Sequence, residues 1–210
     1  MPKVIITIDR QYGSGGREIG NRVAELLGIP KYDEEFVSLA AKDDATLSEE
    51  ALEKVDERAT NSLLYTLVMG GASHVGIPHH SHTLPLNDRL FAKQSALMRE
   101  LAEKGSCVMI GRCSDYVLRE LPDRLSVFVY ADVADRKARV AERQSIKENE
   151  AIDLINKTDR RRSSYYNFYT GGKWGKYDNY HLAINSSTLG IEGTARLIAD
   201  MARLKMEKSK

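Results

Sequence analysis

The sequence predicts an α/β fold: a doubly wound parallel sheet of about five strands, helices on both faces, and a helical lid or insert. Three observations predict it. Short apolar, β-branched runs such as Val4-Ile5-Ile6-Thr7-Ile8 lack polar alternation, as expected of strands buried on both faces. Longer stretches with apolar residues at helical spacing separate these runs. The first run passes directly into Gly13-Ser14-Gly15-Gly16 and then into a helical pattern.

Taken in order, Val4 to Ile8 is the first strand. The helix after the glycines carries Ile19, Val23, Leu26 and Leu27 on one face. Gly28 ends it and Pro30 prevents a restart. Lys31 to Asp33 reads as a short second strand. Residues 34–66 look helical in two pieces broken near Asp44, Thr46 and Ser48, and Met69 to Pro85 reads as a flexible loop. Together, 34–85 form an expected insert. Asn87 or Asp88 is expected to cap a helix running to about Lys104. Cys107 to Ile110 is a third strand, ended by Gly111, and Leu125 to Tyr130 a fourth. Helices are expected from Val133 to about Ile146 and from Ala151 to about Tyr166. Leu182 to Ile184 is the last strand. A final helix begins near Ile191 and frays after Lys205. The whole reads as one domain, 1–210, with a lid region over 136–176.

The net charge of +1 excludes a strong global field, so no nucleic-acid partner is expected. No apolar stretch approaches the roughly 18 residues of a membrane helix. The apolar run in MPKVIITIDR is too short for a secretory leader, which points to a cytoplasmic protein. Two cysteines do not make a disulfide scaffold. Cys107 reads as a buried strand residue, and Cys113 as open to exposure. Nothing in the sequence fixes the oligomeric state, and a homo-oligomer fits as well as a monomer.

A glycine loop between a first strand and a helix is an anion trap, because free backbone N–H groups and the helix dipole converge there. A tight turn without a ligand is the alternative, but this loop, in a strand-to-helix context, favours phosphate binding. The full pattern G-x-x-x-x-G-K-[ST] is absent. If Gly16-Arg17-Glu18 fills the last slots, the first glycine falls on Gln11 and Arg17 stands for the lysine, with a wide planar fork in place of a compact ammonium. Ser14 or Glu18 would then serve a metal. Gly13, Ser14, Gly15, Gly16, Arg17 and Glu18 are thus the candidate phosphate-binding residues.

With these residues in view, the chain resembles the cytidylate kinase family, especially its divergent branch, over almost its whole length. Ile6-Thr7-Ile8-Asp9 resembles the family's first strand, and Ala24-Glu25-Leu26-Leu27 the end of the following helix. Ungapped between these anchors, the family lysine falls on Gly16 and its Ser/Thr on Glu18; a one-residue shift puts the lysine on Arg17. Tyr32-Asp33 resembles the segment leading into the monophosphate site, although Glu34, Glu35 and Ser38 stand where the family has its nucleotide-binding Ser and Arg. Gly111-Arg112 matches the family's Gly-Arg-Asp, with Cys113 for the Asp. Leu125 to Ala131 resembles the strand before the lid. Arg136 and Arg139 match lid-entry arginines, Asp159 and Arg162 match Asp-x-x-Arg, and Asn185 to Glu192 resembles Asp-Ser-Thr-Thr-Leu-Ser-Ile-Glu.

The resemblance implies a P-loop NTPase-like fold and ATP-dependent, Mg²⁺-assisted phosphorylation of a nucleoside monophosphate, CMP or dCMP first. It implies catalytic roles for Arg17, Arg136 and Arg139, with Arg136 also on the nucleotide. It further implies that Asp33, Arg112, Asp159 and Arg162 bind the acceptor. The metal ligand stays unassigned. Phosphoryl transfer asks for positioning and positive charge, which arginines supply if they converge. A non-catalytic nucleotide-binding or regulatory protein is the alternative, because both standard P-loop side chains are unmatched. A kinase with a different small acceptor is a third reading. Arg160, Arg161 and Arg162 run around one helix, so all three cannot face one ligand. The aromatic stretch Tyr165 to Gly175 reads either as a lid or base-stacking platform, or as packing against the domain or a partner subunit. The histidines at 74, 79, 80 and 82 lack a carboxylate or thiol to complete a zinc set and read as a surface loop.

Overall fold

A computed structural model describes residues 2–33 and 86–208. The expected insert at 34–85, with the histidine loop, lies outside the described residues. Five parallel strands form one sheet among the described residues: β1 (Ile5–Arg10), β2 (Lys31–Tyr32), β3 (Cys107–Ile110), β4 (Arg124–Tyr130) and β5 (Leu182–Asn185). Their order is β2-β3-β1-β4-β5, so β1 is central. Ile5 to Ile8 pair with Cys107 to Ile110 on one side, and Ile5 to Arg10 with Arg124 to Val129 on the other. Every β1 residue is buried, which explains why the run carries no polar alternation.

Side chains alternate between two cores, as the pleat requires. Ile6, Ile8, Val108, Ile110, Val127 and Val129 pack against α1 (Gly16–Leu27) and the last helix, α6 (Ser186–Lys208). Ile5, Cys107 and Met109 pack against α2 (Leu86–Lys104) and the residues around the short α3 (Ser114–Val117). Helices therefore cover both faces. Two further helices, α4 (Val133–Gln144) and α5 (Glu148–Thr170), follow β4 and pack on each other through Val140, Ala151 and Ile155.

Several boundaries differ from expectation for local reasons. Gly28 does close α1, in the left-handed region at φ 63°. Helix α2 begins at Leu86, which puts Asn87 and Asp88 inside its first turn rather than at its cap; the Asp88 carboxylate instead accepts a hydrogen bond from the Tyr169 hydroxyl. Helix α4 stops at Gln144, with Ser145 left-handed at φ 53°. Helix α5 starts three residues before Ala151, where the Glu150 carboxylate accepts the Lys147 N–H at 3.0 Å. It runs on to Gly171, also left-handed. Helix α6 starts at Ser186, is broken at Gly190 (φ 65°, ψ −177°), and remains helical to Lys208, past the expected fraying at Lys205. The strand β4 takes in Arg124. No described helix is long and apolar enough to cross a membrane.

The aromatic stretch packs on the domain. Tyr165, Tyr166 and Tyr169 are buried, Phe91 of α2 stacks on Tyr169 with ring centroids 4.0 Å apart, and the Trp174 indole N–H donates to Asp9 at 2.7 Å. Cys113, expected to be open to exposure, is buried in this cluster, and neither it nor Cys107 forms a disulfide. Desolvation pushes the Cys107 thiol up to about 12.

Candidate phosphate-binding site

The loop after β1 is built from backbone outward. Gly13 and Gly15 sit at φ 79° and 77°, a region that only glycine enters without cost. A methyl group on Gly13 would stand 2.9 Å from the Arg136 carbonyl and 2.8 Å from Val140. Four consecutive carbonyls of the loop are turned back into the protein. The Ser14 hydroxyl donates to the Gln11 carbonyl (2.9 Å), Arg136 Nε to that of Tyr12 (2.8 Å), Arg139 Nη1 to that of Gly13, and the Ser186 hydroxyl to that of Ser14 (2.7 Å). The amides of Gln11, Tyr12 and Ser14 are held as well, by the Val129 carbonyl, Asp159 and the Gln11 carbonyl; the glycine turn ends at the N-terminus of α1, where the helix dipole adds positive potential.

Here three expected site residues take a different place. Arg136 and Asp159 do not line the cleft. Arg136, from α4, is buried and ion-pairs with Asp159 of α5; Asp159 Oδ1 accepts the Tyr12 N–H at 2.7 Å. The pair holds the Tyr12 N–H and the Tyr12 carbonyl, on the two peptide groups that flank its Cα, and acts on the loop from behind. Ser14 is fully buried, and its hydroxyl is held at Gln11 rather than turned to the cleft.

In front of the loop lies a cleft of about 330 Å³. Gly13, Gly15, Gly16, Arg17 and Glu18 form its floor, and Asp33, Arg112, Arg139 and Arg162 its walls. These nine are the expected residues that the fold does bring together, from the loop and from the ends of β2 and β3, α4 and α5. Glu18 is exposed. Arg17 reaches across to Asp33 in an ion pair, with its side chain 41% exposed. Arg112 stands in an unusual backbone. Gly111, Arg112 and Cys113 run at φ 75°, 59° and 56°, and two of the three carry side chains. Such a run persists only where the surroundings impose it. Arg162 Nη1 donates to the Arg10 carbonyl at 3.1 Å, and its guanidinium lies 5.6 Å from the Tyr12 ring centroid. Of the Arg160–Arg162 run, Arg160 is exposed, and Arg161 joins Arg162 at the cleft.

The sequence did not single out Tyr12 or Arg10, and it marked Gln11 only as the slot of the first pattern glycine. Arg10 closes β1, and its buried side chain passes over Gly16 toward Gly111, with Nη2 4.0 Å from Asp33. The available signal was its position five residues before Gly15, the slot of the first pattern glycine.

Beside the cleft, two carboxylates are buried. Asp9 accepts from Trp174 and, at 3.1 Å, from the Tyr180 hydroxyl; Asp115 accepts from the Tyr166 hydroxyl at 2.8 Å. Burial, and secondarily the charge of Asp9, push the Asp115 carboxyl up to about 7. Burial first, and then the charge of a neighbouring carboxylate, Asp115 for Tyr166 and Asp9 for Tyr180, raise these two hydroxyls.

Among the described residues no group of three or more His, Cys, Asp or Glu could hold a metal ion. Glu18 and Asp33 bring carboxylates to the cleft. Asp33 is held in its ion pair with Arg17, so the exposed Glu18 is the carboxylate that fits Mg²⁺, an ion that takes one or two carboxylates and draws its other oxygens from water and phosphate.

A family model described as the cytidylate kinase-like family matches residues 5–188. The chain belongs to the cytidylate kinase-like family. Among solved structures it is similar to an uncharacterized protein from Eubacterium ventriosum ATCC 27560, at 25% identity, over 96% of this chain and 99% of that one, with a TM-score of 0.72. It is also similar in fold to a shikimate kinase from Bacteroides thetaiotaomicron (14% identity, 95% and 98% covered, TM-score 0.50). A gluconokinase from Sinorhizobium meliloti 1021 is a further fold relative (16%, 99% and 98%, TM-score 0.50). No curated protein sequence matches the chain. The fold is that of the P-loop kinases.

Proposed function

We propose that this cytidylate kinase-like protein is an ATP-dependent phosphotransferase whose acceptor is a nucleoside monophosphate, CMP or dCMP first. The observation that carries the reading is the convergence of Arg17, Arg112, Arg139 and Arg162 on one cleft over a glycine loop with its carbonyls turned away. ATP with Mg²⁺ would supply the transferable phosphoryl group. The chain's own part is to hold oxygens and spread charge. The glycines of the loop, the N-terminus of α1 and Arg139 face the donor phosphates. Arg112 and Arg162, which line the cleft together with Asp33, face the acceptor phosphate, and Arg guanidinium suits bidentate contact with it. Arg17 lines the same cleft and is paired with Asp33.

The test is ADP production from ATP and Mg²⁺ with each nucleoside monophosphate in turn, above a blank without acceptor. Turnover with CMP or dCMP is expected. ADP formation only with another acceptor would replace the substrate assignment and keep the transferase.

A second reading, a nucleotide-binding protein without turnover, draws on two observations: Gly16 falls in one lysine register, and the Ser14 hydroxyl is turned inward. ATP binding with no ADP formed from any acceptor would establish it.

A further inference from the structure

The glycine pattern can be read in two registers, and their steric demands differ. If Gly16 is the second pattern glycine, Arg17 is the lysine slot and Gln11 the first glycine slot. If Gly15 is the second glycine, the lysine slot is Gly16 and the first glycine slot is Arg10. Gly15 has the conformation that demands glycine, at φ 77°, whereas Gly16 already belongs to α1. Gly16 is nevertheless a glycine for a specific reason. A methyl group there would stand 2.5 Å from Arg10 Cβ and 2.8 Å from Arg10 Cγ. The aliphatic part of Arg10 fills the room that a side chain at position 16 would need. Gly111, at the end of β3, is shaped by the same side chain, since a methyl group there would collide with Arg10 Nη1.

We infer that Arg10 and Gly16 are an exchanged pair, and that Arg10 is a phosphate-binding residue that delivers, from the end of β1, the charge a P-loop lysine delivers from the start of α1. Its side chain lies across the first turn of α1, is buried, and carries its guanidinium to the cleft that Arg112 and Arg162 also line. It spans from Gly16 at the start of α1 to Gly111 after β3, with Nη2 4.0 Å from Asp33. A guanidinium there offers two N–H groups in a fixed plane to the group being transferred. Arg17 is correspondingly drawn away to Asp33. The inference rests on the cleft being a nucleotide site, as proposed above.

The test is a double-mutant cycle read by calorimetric titration of ATP with Mg²⁺, with thermal unfolding recorded for each variant. Arg10→Met keeps the aliphatic packing over Gly16 and removes the charge. It is expected to weaken ATP binding roughly 10- to 100-fold, the range for one charge-assisted contact. Gly16→Lys alone, placed against Arg10, should weaken binding too. The exchange R10G/G16K should restore affinity to within about threefold of the unaltered protein. A strut that only braces Asp33 would lose binding in Arg10→Met but would gain nothing from a lysine at 16. Unaltered affinity in Arg10→Met, or an R10G/G16K protein that folds yet binds no better than Arg10→Gly, overturns the role of Arg10 and leaves the nucleotide site standing. Absence of ATP binding by the unaltered protein overturns both.

Discussion

Arg112 is held at φ 59° between two other left-handed residues, so its backbone works against it. Two substitutions separate what its side chain does from what its backbone costs. Arg112→Ala and Arg112→Gly both remove the guanidinium, and both should lower turnover or raise the acceptor KM strongly. Only glycine relieves the backbone, so Arg112→Gly should unfold about 1 kcal/mol later than Arg112→Ala in urea. Equal stabilities would mean that the backbone there stores nothing; unchanged kinetics would take Arg112 out of the site. Asp115 offers a pH test. Its carboxyl titrates near 7 in the folded protein, above the ordinary carboxylate value near 4. The native state therefore holds a proton that the unfolded chain has lost. The stability it contributes is fully present below pH about 4 and disappears as pH rises through about 7. Asp115→Asn should flatten the melting temperature over that window, and an unchanged slope would assign the dependence elsewhere.

At the scale of elements, the loop depends on α4 and α5 as much as on its own glycines. Arg136 and Asp159 grip the Tyr12 peptide from those two helices, with side chains 7% and 18% exposed. Asp159→Ala leaves the Arg136 charge buried and alone and should cost about 3 kcal/mol in urea unfolding. Asp159→Asn, which keeps an acceptor for the Tyr12 N–H, should cost less; a larger loss in Asn would argue against the clamp. What was legible in the sequence follows the same division. β1, the glycine turns, the Gly28 stop and the position of Arg112 after β3 are set by neighbours in sequence, and local patterns expose them. The clamp joins residues 124 and 147 apart, and nothing in the spacing of Arg136 or Asp159 distinguishes a hand on the loop from a hand on the ligand. Arg10 was missed for a related reason: a strand-end arginine looks like any other until Gly16 and Gly111 are seen to make room for it.

At the scale of the molecule, a net charge of +1 conceals a strongly uneven distribution. Arginines from β1, α1, the turn after β3, α4 and α5 face one cleft, so the positive potential is focused there. ATP affinity should therefore fall several-fold as salt rises from about 0.05 to about 0.5 M, by calorimetry. A flat response would show those charges to be neutralised by their acidic neighbours.

The Ser186 hydroxyl, at the head of α6, holds the Ser14 carbonyl, and Ile191, just past the break at Gly190, stands close to Gly15. During synthesis the glycine turn emerges well before this brace, because Ser186 lies 172 residues beyond Ser14. A nascent chain thus carries its glycine loop unbraced until residues 186–191 have left the exit tunnel, so the loop reaches its final geometry only after the strands and helices that follow it have been made.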